Sequence, residues 1–248
     1  MRLCVLLALG LLLPAVACAS PDDGAAVTVV IDDMGDRAVE GDRVVAMQAP
    51  LVCALLPHTP HAERAAERCH AAGKDVMLHL PMQPVRDAPL GPGGVTLDMT
   101  PQEFRAVVRD NLAAIPHVRA VNNHMGSMLT RHPGHMRWLM EVLADAGNLL
   151  FLDSRTSART VAPQMADEAG VPVLERDVFL DNERDPAAIE RQLRTLFETA
   201  RRDGTAIGIG HPYPETLDVL EQHLHEFAEA YRVELVGLAE LHRRRNGR

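Results

Sequence analysis

The chain has 248 residues, with 25 Lys or Arg against 34 Asp or Glu and a formal net charge of -9. An acidic balance with no basic stripe argues against a nucleic-acid partner. The length suits one large α/β domain with a full core, over residues 20–248, once a leader is removed.

That leader is legible at the start. Arg2 precedes an apolar run over 3–13 and the small-residue stretch Ala15-Val16-Ala17-Cys18-Ala19, the pattern of a secretory signal over residues 1–19. The run is too short for a permanent anchor, and no later segment offers about 18 uninterrupted apolar residues. An exported, periplasmic chain with no transmembrane helix after processing is expected. Cleavage after Ala17 would leave Cys18 open to lipidation, whereas cleavage after Ala19 would discard it. Of the other cysteines, Cys53 lies in an apolar run and Cys69 in a helical pattern. They read as two buried thiols or, in an oxidising compartment, as a disulfide.

Beyond the leader, apolar runs of strand length fall at 27–31, 52–56, 75–80, 120–122, 149–152, 171–174, 206–209 and 233–236. Segments of helical period lie between them. Thr59-Pro60 reads as an N-cap with proline at the first helical position, and Gly73 as that helix's end. Thr100-Pro101-Gln102-Glu103 is a capping box opening a helix to about Ile115. Asp185-Pro186 opens another, with Ile189, Leu193 and Leu196 on one face and Gly204 as its stop. Two more helices are expected near 135–146 and 214–231. Alternating strands and helices imply a parallel sheet, and seven or eight such units imply a distorted (β/α) barrel ahead of a doubly wound sheet. The stretch 81–101 breaks the alternation with five prolines, Pro81, Pro84, Pro89, Pro92 and Pro101, and three glycines. It reads as a lid or a binding rim.

Barrel enzymes carry their chemistry at the C-terminal ends of strands. Five polar clusters fall there: Asp32-Asp33-Met34-Gly35, His79-Leu80-Pro81-Met82, Asn122-Asn123-His124-Met125-Gly126-Ser127, Asp153-Ser154-Arg155-Thr156 and Gly210-His211-Pro212-Tyr213. Strand neighbours point to opposite faces, so Asp32 and Asp33 reach one mouth only if the chain turns there, which Gly35 permits. Two adjacent carboxylates are then best reconciled by a divalent cation. His79 and His124, at the ends of neighbouring strands, add two imidazoles, good ligands for zinc and similar ions. His211 stands between a glycine and a proline at the end of another apolar run, accessible enough to serve as a proton donor. The remaining histidines read as surface residues.

In order, these clusters resemble the motifs of the divergent polysaccharide deacetylases, the bacterial YibQ-like proteins, a branch of the NodB-type carbohydrate esterases. The resemblance implies a distorted β/α barrel, a zinc or related ion, Asp33 as its carboxylate ligand, Asp32 as catalytic base and His211 as general acid. It further implies a carbohydrate or peptidoglycan-related substrate. One departure stands out. The typical group draws both metal histidines from a single His-x-x-x-His segment, whereas Gln83 follows His79 by four residues and His124 replaces the second imidazole.

The expected reaction is metal-assisted hydrolysis of an amide or ester. Asn122, Asn123 or a backbone N–H near Ser127 would stabilise the oxyanion, and Asp153 would orient an imidazole or hold Arg155. Two competing readings are a metal-free glycosidase built on Asp32 and Asp153 and a non-catalytic envelope-binding protein. Aromatic residues are only 3% of the chain, a poor supply for stacking a long glycan.

Overall fold

A computed structural model describes residues 24–147 and 149–247; the leader at 1–19 and Cys18 lie outside the described residues. Nine strands make one sheet: β1 (Ala26–Met34), β2 (Val52–Leu55), β3 (Asp75–Met82), β4 (Val118–Met125), β5 (Leu150–Asp153), β6 (Val173–Glu175), β7 (Val178–Phe179), β8 (Thr205–Gly210) and β9 (Glu234–Leu235). Their order is β6-β5-β4-β3-β2-β1-β8-β7, with β9 added at the start of β1. Every pairing is parallel.

Strands β6 and β7 lie at opposite ends of that order, yet only Arg176 and Asp177 separate them in the chain. Three residue steps span at most about 11 Å, so the sheet must curl until its two edges nearly meet. The result is a barrel with an open seam, the distorted β/α architecture expected. Inward side chains are small or medium, among them Ala26, Val30, Ala54, Ala120 and Ile207. The C-terminal helix α8 (Leu238–Asn246) adds Leu238 and Leu241 to this inner cluster.

The outer helices are α1 (Ala38–Ala46), α2 (Ala62–Ala71), α3 (Pro101–Ala114), α4 (Pro133–Asp145), α5 (Ala162–Ala169), α6 (Pro186–Asp203) and α7 (Pro214–Tyr231). Their apolar faces and the outer face of the sheet form a second, larger core. The capping box at Thr100 and Glu103 forms as expected, and so do the Asp185 cap and the Gly204 stop of α6. The cap expected at Thr59 does not form. Its hydroxyl donates to Leu56 O at 2.9 Å, and α2 starts only after His61, without a side-chain cap. Cys53 on β2 and Cys69 on α2 are joined as a disulfide.

The proline-rich stretch is a fixed rim. Val95 N–H donates to Pro81 O at 2.9 Å and Gln83 N–H to Val95 O at 3.0 Å. Further along, the buried Asn111 of α3 donates through Nδ2 to Gly93 O at 2.8 Å. These bonds tie the start of the stretch to Val95 and anchor Gly93 to α3.

Candidate active site

At the end of β1 the turn comes earlier than Gly35. Asp33 itself takes a left-handed conformation, φ 53°, and the pairing with β2 shifts register between Ile31 and Met34. Such a conformation costs a non-glycine residue energy and concentrates where function demands it. It breaks the strand's alternation, so Asp32 and Asp33 both face the mouth of the barrel. Met125 and Arg155, at the ends of β4 and β5, are left-handed too.

Three ligand atoms converge there. Asp33 Oδ1 lies 3.1 Å from His79 Nε2 and 2.8 Å from His124 Nδ1, and the two nitrogens are 3.2 Å apart. Asn122 fixes the tautomer of His79. Its Nδ2 donates to Asp32 Oδ1 at 2.8 Å, so its Oδ1 is the acceptor that meets His79 Nδ1 at 2.8 Å. The proton of neutral His79 therefore sits on Nδ1, and Nε2 turns a lone pair toward Asp33. Asp33 Oδ1 is buried and closes no hydrogen bond of acceptable geometry. Bonds of about 2.0–2.1 Å to a tetrahedral zinc place ligand atoms roughly 3.3 Å apart. One carboxylate and two imidazoles at the observed spacing fit a divalent cation and would leave a position for water and substrate.

Electrostatics follow from this packing. Burial alone would raise the Asp33 carboxyl, but the two imidazoles outweigh it and hold the group well below the usual carboxylate range. Burial likewise opposes protonation of His79, yet Asp32 and Asp33 push it up to about 9. Asp32 is raised by burial, against the opposing pull of His79, His211 and Asn122.

His211 ends β8, with Nε2 3.7 Å from Asp33 Oδ2. Asp181 secures it twice: Oδ2 accepts the His211 N–H at 2.6 Å and Oδ1 meets Nδ1 at 2.9 Å. Burial disfavours the imidazolium, but this carboxylate overrides burial and raises the pKa of His211. Sequence reasoning missed Asp181. It follows Val178-Phe179-Leu180 as Asp32 follows 27–31, but β7 has two residues, too short to register as a strand.

The other expected residues are committed to bonds within the protein. Asn122 has no free donor, since Nδ2 is given to Asp32 and, at 3.3 Å, to Ser154 Oγ. The Asn123 side chain is committed to Met125 O, Thr156 Oγ1 and Ser154 N–H. Ser127 Oγ accepts the Val85 N–H at 3.0 Å and so braces the rim. The oxyanion role expected of the two amides is therefore corrected to a structural one. Asp153 is fully buried and its Oδ1 accepts the Arg155 backbone N–H at 2.8 Å. It orients no imidazole, and the Arg155 guanidinium pairs with Glu175 instead. The Asp32–Asp153 pair of a glycosidase is thus not presented to a sugar. Gln83 Oε1 accepts the Leu97 N–H at 2.8 Å, which makes it a staple of the rim. His135, expected on the surface, is buried beside Phe104 and Trp138.

A cavity of about 330 Å³ opens beside Asp33 and His124, walled on its far side by Pro89, Leu90, Gly91 and Pro92 of the rim. Residues 29–242 match the family model described as divergent polysaccharide deacetylase. The chain belongs to that family. The uncharacterized protein YibQ of Escherichia coli K12 is 38% identical over 206 residues, 83% of this chain and 64% of its own length. The chain thus spans less than two thirds of that relative. An uncharacterized protein of Agrobacterium tumefaciens C58 with a known crystal structure superposes with a TM-score of 0.83 at 23% identity, covering 90% of this chain and 91% of that one. A peptidoglycan deacetylase of Bdellovibrio bacteriovorus gives a TM-score of 0.50 at 15% identity, covering 90% and 55% respectively. The Agrobacterium and Bdellovibrio structures share this chain's fold, a barrel of parallel strands alternating with helices.

Proposed function

We propose that this divergent deacetylase is a metal-dependent hydrolase that removes an acyl group from an amino sugar of the cell envelope, with peptidoglycan fragments as its first substrate class. The observation that carries the reading is the convergence of Asp33 Oδ1, His79 Nε2 and His124 Nδ1 within 4.8 Å of one another. Asp33, His79 and His124 would hold the ion, zinc first among candidates, and Asn122 would orient His79 from behind. A bound divalent cation supplies polarisation of the acyl carbonyl and acidification of water.

The remaining work falls to side chains. Asp32, raised by burial, accepts the proton of the attacking water, a task that favours a carboxylate with a pKa moved toward neutrality. His211, whose pKa Asp181 raises against the opposing effect of burial, gives a proton to the leaving amine. Export to an oxidising compartment is part of the same proposal, and the Cys53–Cys69 disulfide supports it.

The experiment is acyl release from N-acylated amino sugars and peptidoglycan fragments by metal-reconstituted protein, with Asp32→Asn in parallel. Turnover in the parent and a loss of about a hundredfold or more in the variant, with metal retained, is expected. Full turnover in Asp32→Asn would remove Asp32 as the base. A metal-loaded chain that turns over none of these compounds would be a binding protein.

A further inference from the structure

The cavity beside the metal ligands has a chemistry of its own. Leu56, Pro57, Pro81, Pro89, Leu90 and Pro92 face it. The Thr59 hydroxyl at its edge already donates to Leu56 O, and Asp36 lies on the exposed lip. Apart from the His124 ring no aromatic face lines it, and neither does a Lys or Arg. A sugar ring seated there would bury hydroxyls against prolines and leucines, leaving them without partners, which is costly.

The position of the cavity relative to the proton donor says which half of a substrate it takes. In the sheet, β8 lies on one side of β1, and β2, β3 and β4 on the other. His211 ends β8, while the cavity is built over the ends of β1, β2, β3 and β4 and does not include His211. In the hydrolysis, water oxygen bonds to the acyl carbon, the carbon–nitrogen bond breaks, and the acyl half leaves as a carboxylic acid. The amine takes the proton from His211, so the leaving half lies toward β8. The acyl half then points over β2 and β3.

We infer that this cavity binds the acyl chain, and that the preferred acyl group is several carbons longer than acetyl. A water-sized group takes roughly 30 Å³, so an acetyl methyl would fill about a tenth of the 330 Å³ present. Ser127 holds the rim at Val85 and Asn111 holds it at Gly93, on either side of the wall residues 89–92, so the wall is anchored at both ends. The inference rests on the hydrolase reading for its orientation, but the cavity can be probed without turnover.

The test is binding of straight-chain hydroxamates, from acetohydroxamate to octanohydroxamate, to zinc-loaded protein by calorimetry. Affinity is expected to tighten about two- to fourfold per added methylene, as burial of each CH₂ allows, until the cavity is full. Leu90→Trp and, separately, Leu56→Phe are expected to flatten that slope. Affinity independent of chain length, or falling with it, overturns the inference. N-acyl glucosamines of the same chain lengths run alongside: no turnover across the whole series defeats the hydrolase reading, while a rising hydroxamate slope still upholds the acyl cavity.

Discussion

Asp181 grips His211 at two points, accepting its backbone N–H at 2.6 Å and facing Nδ1 at 2.9 Å. The Thr216 hydroxyl donates to the same carboxylate at 2.8 Å, so the pair is held in one orientation with Nε2 toward the metal ligands. Asp181→Asn removes the charge and keeps the shape. The His211 pKa should fall back toward its ordinary value, and a reaction that needs protonated His211 should lose its alkaline limb at lower pH. A pH–rate profile of kcat/KM checks this; an unmoved limb would show that another group supplies the proton.

Asn122 joins a ligand to the base, with its carbonyl on His79 and its amide on Asp32. Replacement by leucine leaves both buried partners unmatched and frees the imidazole to change tautomer. Metal affinity should drop about 10- to 100-fold, the usual cost of losing a partner behind a ligating histidine. Competition with a chromogenic chelator measures it.

Protons and metal compete for His79. Its folded pKa, about 9, lies above the ordinary value of 6.5. In chelator its contribution to stability is therefore full below about pH 6.5 and is lost as pH rises through about 9. Metal needs the neutral ring, so the stabilisation by added zinc should grow across that same window. Thermal unfolding with and without zinc at several pH values reads both trends, and a zinc effect independent of pH contradicts them.

The Cys53–Cys69 disulfide closes a segment with a sequence separation of 16. The double substitution Cys53→Ala, Cys69→Ala should cost about 2–3 kcal/mol, mainly by loosening the unfolded chain. The denaturation midpoint should fall while metal affinity at 25 °C is kept.

Much of the site was legible because its residues violate local expectation. A histidine between Val76-Met77-Leu78 and Leu80, or a pair of aspartates after 27–31, has no packing reason to be there, so chemistry was the better reading. The structure added what strand pattern cannot carry. Asp181 follows a two-residue strand whose pairing with β8 is non-local. The sequence places Asn122 at a strand end but cannot show its partners, His79 on β3 and Asp32 on β1. Helices α1, α5 and α8 escaped notice because each is short, with 9, 8 and 9 residues, so the apolar period barely repeats before the helix ends. The turn at Asp33 was assigned to Gly35 because a left-handed aspartate cannot be read from a sequence. Gly35 has its own constraint, since a Cβ there would lie 2.2 Å from Thr59 Oγ1.

The most direct measurement is acyl release from an N-acyl amino sugar by one protein sample assayed as prepared, after exhaustive chelation, and after addition of zinc. Activity that disappears on chelation, returns with about one zinc per chain, and cannot be restored in Asp33→Ala, His79→Ala or His124→Ala is the predicted result. Activity that survives chelation, or that zinc restores equally in those three variants, would contradict a metal centre built on Asp33, His79 and His124.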